Sequence, residues 1–263
     1  MSFNRFFYAL IAVFVWGLAG ATESMDADAV AQTLAPAGEL RVGVYLGSPT
    51  SMVIDPRNGE IHGVAIELGQ SLAKSIHRPI RVVQFDRVSQ VIDALKHGQV
   101  DMTFTNATAV RAKDVDFTLP LIRLELGLLV PVVSSVKQFM DVNEAAFRLG
   151  VAKGSSSQNV LGTKLDRTKI VPVESLDQAK KMLMSGELDG FATNKGILFE
   201  MNEHLNGFKV LDDRWGLENL AIAVPKGRDQ GMPFLTEFAK QQFTTGEMDA
   251  IARSAGLRGI AKD

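Results

Sequence analysis

The segment LKHGQVDMTFTN, residues 95–106, returns in altered form as LMSGELDGFATN at residues 183–194. Each copy has a leucine three residues before a glycine, then an apolar residue and an aspartate, and ends in Thr-Asn. The pattern predicts a helix whose C-terminus is capped by glycine, a short turn and a strand. The Leu-x-x-Gly part is common in such turns, but Thr-Asn at the same distance in both copies favours two similar α/β lobes.

Strand and helix patterns alternate around the first copy. Residues 40–45 alternate apolar and polar side chains, as a strand does, and apolar residues from Val64 to Ile76 recur at helical spacing before Pro79. The alanine-rich stretch up to about Pro36 predicts a loose segment. Strands alternating with helices in this way favour parallel βαβ units and therefore an α/β fold.

Two extended apolar stretches, residues 124–132 and 217–225, both begin with Leu-Glu and both contain Val-Pro. We expect each to cross between the lobes. Lobe 1 would then comprise residues 22–126 and 225–263, and lobe 2 residues 127–224. Because open α/β sheets bind ligands at the carboxyl ends of their strands, a cleft between the lobes would be lined by both Thr-Asn ends.

The amino terminus predicts export. Arg5 precedes an apolar run from Phe6 to Trp16, and Ala19-Gly20-Ala21 has the form of a cleavage site. Together they make a secretory signal peptide of residues 1–21. A membrane anchor is the alternative, but the run falls short of the roughly 20 apolar residues that a spanning helix needs. No cysteine follows the cleavage site, so we expect export without a lipid anchor.

The composition removes several classes of function. Lys and Arg total 28 against 30 Asp and Glu, which leaves no basic excess for a nucleic-acid partner. The chain has no cysteine, which excludes disulfides, zinc thiolate sites, iron–sulfur clusters and a thiol nucleophile. Four scattered histidines leave little for a metal. We therefore expect no metal and no cofactor, and we expect a monomer whose partner is a small organic molecule.

Candidate binding residues lie at the end of the first Thr-Asn strand. They are Phe104, Asn106, Thr108 and Arg111. Arginine is a fixed cation whose planar fork suits a carboxylate or a phosphate. Arg111 could also be a surface residue among charged neighbours, and its spacing alone slightly favours that alternative.

Across the predicted cleft, Ser155 and Ser156 follow Gly154 at the start of a helix. Free N–H groups and hydroxyls at a helix N-terminus bind anions, although an ordinary N-cap would have the same sequence. Arg111 and this turn would together clamp one anionic group. Asn106 and Asn194 would face each other at the ligand's other end, where two carboxamides supply donors and acceptors but no charge.

Seven short motifs occur in order along the chain, at residues 38–43, 63–68, 101, 108–111, 115–120, 150–156 and 186–189. Each is weak alone. In this order and at these intervals they resemble the motifs of family 3 periplasmic solute-binding proteins, the polar amino-acid receptors of ABC importers.

The resemblance implies a type II periplasmic-binding-protein fold, in which two α/β lobes joined by two strands close on the ligand. It implies that Arg111, Ser155 and Ser156 hold the ligand's carboxylate. It also implies a periplasmic protein that delivers its ligand to an ABC permease in the inner membrane.

One position departs from the family. Five residues beyond the second Gly-x-Leu-Asp aspartate, amino-acid receptors of the family carry a carboxylate that pairs with the ligand's α-ammonium, whereas this chain has Asn194. Burying an ammonium without a counter-ion costs roughly several kcal/mol, so we expect a carboxylate ligand without a cationic group. The alternatives are that Glu67 or Asp55 supplies the acid, or that Lys195 points inward as a second anion site.

Three functions from different classes remain open. The first is an import receptor, which makes and breaks no bond. The second is an enzyme, since the resemblance extends to periplasmic dehydratases whose acid follows the serine turn, although this chain has Ser157 and Gln158 there. The third is a sensor or adaptor that presents its closed form to a membrane partner.

Overall fold

The computed structural model describes residues 27–144 and 146–262. The helices are α1 (Ala27–Leu34), α2 (Val64–Ser75), α3 (Val88–Lys96), α4 (Ser156–Lys164), α5 (Leu176–Met184), α6 (Lys195–Glu203), α7 (Met232–Thr244) and α8 (Glu247–Ser254). The strands are β1 (Leu40–Tyr45), β2 (Val53–Ile54), β3 (Ile61–His62), β4 (Ile80–Phe85), β5 (Thr103–Asn106), β6 (Val115–Phe117), β7 (Ile122–Pro131), β8 (Arg148–Ala152), β9 (Lys169–Val173), β10 (Gly190–Asn194), β11 (Phe208–Val210) and β12 (Gly216–Pro225).

Each half of the molecule has a parallel arrangement of strands with helices packed on it. In the first half β1 pairs with β4 in parallel, and Val42 bridges to Met102 just before β5. In the second half β8 pairs in parallel with both β9 and β10. The apolar residues form separate clusters in the two halves, so each half has its own core. The α/β class with two lobes is therefore confirmed.

The two stretches that were expected to cross form β7 and β12, which pair antiparallel from Gly216 opposite Leu126 to Leu220 opposite Ile122. β5 pairs with β12, and β10 pairs with β7. The carboxyl ends of both Thr-Asn strands therefore lie against the crossing pair. Helices α7 and α8 return to the first core, where Leu235 and Ile251 are buried. The exact lobe boundaries at 126/127 and 224/225 stay a prediction.

The amino-terminal expectations have different outcomes. The signal peptide, residues 1–21, lies outside the described residues. The loose segment up to Pro36 is a wrong expectation, because α1 forms there and buries Val30, Ala31 and Leu34. No helix within residues 27–144 and 146–262 is long and apolar enough to cross a bilayer.

The repeated aspartate has the same structural role in both lobes. Asp101 accepts hydrogen bonds from the backbone N–H and the guanidinium of Arg41 in β1. Asp189 accepts the equivalent bonds from Arg148 in β8. Each aspartate thus ties the turn before a Thr-Asn strand to the first strand of its lobe. Burial opposes ionisation of Asp101, but the hydrogen bonds from Arg41 and Arg228 outweigh it and lower its pKa.

Candidate functional site

A cavity of about 40 Å³ lies between the lobes, at the carboxyl ends of β5 and β10. Its lining comes from both lobes and from β12. The lining residues are Tyr45, Thr50, Asp86, Arg87, Val88, Thr105, Asn106, Arg111, Ala152, Ser155, Ser156, Ser157, Ser175, Leu176, Thr193, Asn194, Ile197, Glu218 and Leu220.

Direct contacts between the lobes hold the cleft closed around this cavity. Arg87, before α3, forms an ion pair with Glu174, which precedes α5, with 2.5 Å between Nη1 and Oε2. The Ser89 hydroxyl donates to the carbonyl of Lys153 at 3.2 Å. Gly154 has φ +71°, and a Cβ there would stand 2.6 Å from that of Ser89. Only glycine therefore allows this turn and this approach of the two lobes.

Arg111 is the buried cation of the site, with 9% of its surface exposed. Its Nη1 donates to Thr105 Oγ1 at 2.9 Å and to the carbonyl of Asn106 at 3.1 Å. Burial lowers the pKa of Arg111, while attraction to Glu218 opposes that shift. Both of these bonds go to neutral oxygens, so the guanidinium charge is available to an anion in the cavity.

The serine turn across the cleft opens α4. Ser155 is the N-cap, and its Oγ accepts from the N–H of Gln158 at 3.1 Å. Ser156 and Ser157 occupy the first turn, whose N–H groups have no acceptor within the helix. Both serines line the cavity. The positive end of the α4 dipole thus faces the same space as Arg111.

Glu218 brings a negative charge to the same cavity. It lies on β12 and is 7% exposed. Its Oε1 accepts from Ser156 Oγ at 3.1 Å, and its Oε2 accepts from Asn194 Nδ2 at 3.0 Å. Burial raises the pKa of Glu218, and attraction to Arg111 opposes that rise. The carboxyl group therefore has only neutral hydrogen-bond donors and one nearby cation.

The two carboxamides are held in fixed orientations. Asn194 Oδ1 caps α6 by accepting from the N–H of Ile197 at 3.0 Å, which leaves its Nδ2 for Glu218. Asn106 Oδ1 accepts from the N–H of Asn219 at 3.0 Å, and its Nδ2 donates to Ser156 Oγ at 3.3 Å. Both residues line the cavity, but Ser156 and Glu218 stand between them. A chain of hydrogen bonds thus runs from Asn106 of lobe 1 through Ser156 to Glu218.

Two residues expected at the site do not line the cavity. Phe104 is 1% exposed and packs in the core of lobe 1, because it points away from its neighbour Thr105. Thr108 Oγ1 accepts from the N–H of Arg111 at 3.2 Å, so it positions the arginine instead of facing the cavity.

The alternative charged groups are also placed elsewhere. Lys195 is buried, and its Nζ pairs with Glu125 at 2.8 Å and with the carbonyl of Asp212 at 2.7 Å, away from the cavity. Asp55 pairs with Arg57 on the surface of lobe 1. Glu67 belongs to α2 and does not line the cavity.

Sequence reasoning missed Glu218, Tyr45 and Thr105. A usable signal existed for Glu218, which is a charged residue inside an apolar stretch that was expected to cross between the lobes. Charged residues are rarely buried without a partner, so the position of Glu218 predicts a polar or charged partner. Within the described residues no three His, Cys, Asp or Glu side chains come together as a metal site would require.

Comparison with known proteins places this chain in a family. A family model described as bacterial extracellular solute-binding proteins, family 3, matches residues 40–256. The ABC transporter glutamine-binding protein GlnH of Bacillus subtilis is 25% identical over 251 residues, which cover 93% of this chain and 92% of the relative. The glutamine-binding protein of Geobacillus stearothermophilus is 24% identical and covers 79% of this chain and 80% of the relative.

Solved structures show the same fold. An ancestral amino acid-binding protein, described as a precursor of cyclohexadienyl dehydratase, matches with TM-score 0.74 and 25% identity. The match covers 85% of this chain and 98% of that one. The amino acid ABC transporter protein AbpA of Streptococcus pneumoniae, bound to L-arginine, matches with TM-score 0.76 and 18% identity over 85% of this chain and 97% of its own.

The bond from Asn194 to Glu218 predicts a pH-dependent effect of Asn194→Asp. The substitution keeps an oxygen for the α6 cap but sets a second carboxyl group against Glu218, and two carboxylates at about 3 Å share one proton. A group whose pKa is raised by folding stabilises at low pH and loses that contribution as pH rises. Thermal melting should therefore show a larger loss relative to wild type at pH 8 than at pH 5, about 3 kcal/mol at the higher pH.

The double variant Asn194→Asp, Glu218→Gln is the matched control, because it restores one carboxyl and one amide. Its stability should return close to that of wild type at both pH values. An equal loss at pH 5 and pH 8 for the single variant would show that the two side chains do not share a proton.

Proposed function

The chain belongs to the bacterial extracellular solute-binding proteins of family 3, and from that premise we propose that it captures a small amino-acid-like carboxylate between its lobes and delivers it to an ABC importer. The observation that carries the proposal is the presence of a buried cation, Arg111, and a buried acid, Glu218, on one small cavity. A ligand with opposite charges at its two ends matches that pair.

The carboxylate end is assigned to Arg111 and the α4 N-terminus. The guanidinium of Arg111 and the first-turn N–H groups at Ser156 and Ser157 face the same cavity from opposite lobes. Charge-assisted hydrogen bonds of this kind are about twice as strong as neutral ones. An anion bound here joins the two lobes, which favours the closed arrangement.

The ammonium end is assigned to Glu218. An uncharged far end was expected because Asn194 replaces the family's carboxylate, and the buried carboxyl group of Glu218 argues against that expectation. Its carboxyl group reaches the cavity from β12 and is already hydrogen-bonded to Asn194. It therefore supplies the counter-ion whose absence argued against an α-amino acid, and an α-amino acid becomes the ligand that the charges favour.

The transport role is supported by relatives. The Bacillus subtilis relative is named as an ABC transporter glutamine-binding protein, and its match covers nearly all of both chains. We assign this chain to the periplasm as a monomer that presents its closed form to an inner-membrane permease. Permease and ATPase reading frames beside the gene would support import over a sensing or adaptor role.

A second candidate, an enzyme of the dehydratase type, is favoured by one observation. The cavity does hold a carboxyl group with a raised pKa, which a general acid needs, although it comes from β12 instead of following the serine turn. One structural neighbour is also described as a precursor of cyclohexadienyl dehydratase. The receptor remains the better supported function, because the named sequence relatives are binding proteins.

Arg111→Ala should abolish most of the binding. Removing one partner of a buried charge pair costs about 3–5 kcal/mol, so the dissociation constant should rise by about two orders of magnitude or more. Isothermal titration calorimetry with a panel of amino acids measures this. Lys113→Ala, an exposed cation on the same turn, is the matched control and should bind as wild type does. An unchanged dissociation constant for Arg111→Ala would remove the arginine from the site.

Glu218→Gln should discriminate between ligand classes. The side chain keeps its shape but loses its charge, so affinity for α-amino acids should fall by about a hundredfold, while the matching 2-hydroxy acids should bind as before or better. Calorimetry on both ligand series is the measurement. Glu125→Gln, in the other crossing strand and outside the cavity, should leave both series unchanged. Equal losses for the two series would mean that Glu218 does not contact an ammonium.

Long incubation with bound ligand should yield no product. A receptor needs no proton transfer to its ligand, and the serine turn has no histidine beside it in the sequence. Mass spectrometry of the ligand after incubation is the measurement, with Glu218→Gln as the control that removes the candidate acid. If the wild-type protein yields converted ligand in molar excess over the protein and Glu218→Gln yields none, the enzyme becomes the better supported function.

A further inference from the structure

We infer that residues 257–261, which we call the tail, form a third, non-covalent connection between the lobes and position the ligand site. The tail holds Asn194 in the orientation that keeps Glu218 at the cavity. The inference rests on the proposed function, because it concerns the ammonium end of the same site. The tail follows α8, and its first residue, Leu257, is buried in the core of lobe 1.

The tail pairs with the crossing strand β7 at the point where β10 ends. Ile260 forms an antiparallel bridge with Leu124, and a backbone hydrogen bond of 2.9 Å flanks the bridge on each side. The opposite edge of β7 is paired with β12 as far as Leu126. Asn194, the last residue of β10, also lies opposite Leu126, so β10 occupies the same edge as the tail. A segment of lobe 1 and the ligand-site strand of lobe 2 thus follow one another along one edge.

Two glycines allow the tail to lie against the first turn of α6. Gly259 has φ +79°, and a Cβ there would stand 2.5 Å from the Cβ of Lys195. Gly196 is the second residue of α6, and a Cβ there would stand 2.8 Å from Leu257 Cδ1. A side chain at residue 259 would therefore force the tail and the helix apart.

Arg258 extends the contact along α6. Its guanidinium carbon lies 4.9 Å from the centroid of the Phe199 ring, and its Nη2 pairs with Glu203 Oε1 at 2.6 Å. Both members of this ion pair are about half exposed, so the pair contributes little by itself. The close packing at the two glycines is therefore the main contact between the tail and lobe 2.

The first turn of α6 also orients Asn194. Its Oδ1 accepts from the N–H of Ile197 at 3.0 Å, and this cap leaves its Nδ2 to donate to Glu218 Oε2 at 3.0 Å. Lys195 and Gly196, which the tail contacts, lie between the two ends of the cap. A displacement of the tail therefore shifts the cap, and with it the donor that holds Glu218 at the cavity.

Gly259→Ala in the full-length protein tests the inference, and the probe is the standard amino acid that wild type binds most tightly. Calorimetry should show a loss of affinity of about tenfold in the wild-type background but of less than about threefold in the Glu218→Gln background, because residues that act through one hydrogen-bonded network are not additive. A loss of folding stability alone would not produce this difference between the two backgrounds.

Gly256→Ala is the matched control. Gly256 also has a positive φ, +64°, but a Cβ there would have no atom within 4 Å, so this variant adds backbone strain without the contact. It should bind within about threefold of wild type. A chain that ends at Arg258 lacks the pairing with β7, and it should lose affinity as Gly259→Ala does. It keeps the test decisive if Gly259→Ala does not fold.

The outcomes separate the two proposals. If Glu218→Gln weakens amino-acid binding while Gly259→Ala and the shortened chain bind as wild type does, the inference is overturned and the receptor function stands. The inference is also overturned if Gly256→Ala weakens binding as much as Gly259→Ala, or if Gly259→Ala costs the same factor in both backgrounds. If wild type binds no amino acid, the proposed ligand is wrong and the inference fails with it.

Discussion

The antiparallel pairing of β7 with β12 is the contact on which the rest of the arrangement depends. Through these two strands the chain passes between the lobes twice. The free edge of β12 pairs with β5, and the free edge of β7 pairs with β10. Because those edges are fixed, Asn106 lies opposite Leu220 and Asn194 lies opposite Leu126. The ends of two strands that are far apart in sequence are thereby brought to one place, and Glu218 lies on the strand that runs beside them.

The site buries two opposite charges, and their hydrogen bonds to protein groups replace the lost hydration only in part. Arg111 donates to a hydroxyl and a carbonyl, and Glu218 accepts from a hydroxyl and a carboxamide. Neutral partners do not fully replace hydration of an ion, so both groups are costly to bury unless each meets an opposite charge. Their mutual attraction offsets part of that cost. A ligand that brings a carboxylate to one and an ammonium to the other would offset more of it, which explains why such a charge pair suits capture.

The features that sequence predicted are those encoded by neighbours along the chain. The glycine-capped helices, the Thr-Asn strands, the serine N-cap and the apolar crossing stretches are local patterns, and each forms where it was expected. The role of Glu218 is not local, because its hydrogen-bond partners lie 62 and 24 residues away. Side chains alternate along a strand, so only one of the neighbours Phe104 and Thr105 can face Arg111, and the structure places Thr105 there. The position of Tyr45 was not predictable from its neighbours in the chain, because it depends on the lobe 2 cluster against which the ring packs.

The position of the acid on β12 also determines which parts of the molecule it connects. A carboxylate at residue 194 would stand at the end of β10 and the start of α6, and would belong to lobe 2 alone. In this chain that position caps α6 and donates to Glu218, while the charge is carried by β12, which passes between the lobes. Glu218 contacts Ser156 of lobe 2, and Ser156 in turn accepts from Asn106 of lobe 1. The acid is thus part of the hydrogen-bonded chain that joins the closed lobes. In the proposed receptor, recognition of an ammonium group and closure of the cleft would therefore depend on the same carboxyl group. Any movement that parts Asn106 from Ser156 also disturbs the donor that Ser156 provides to Glu218.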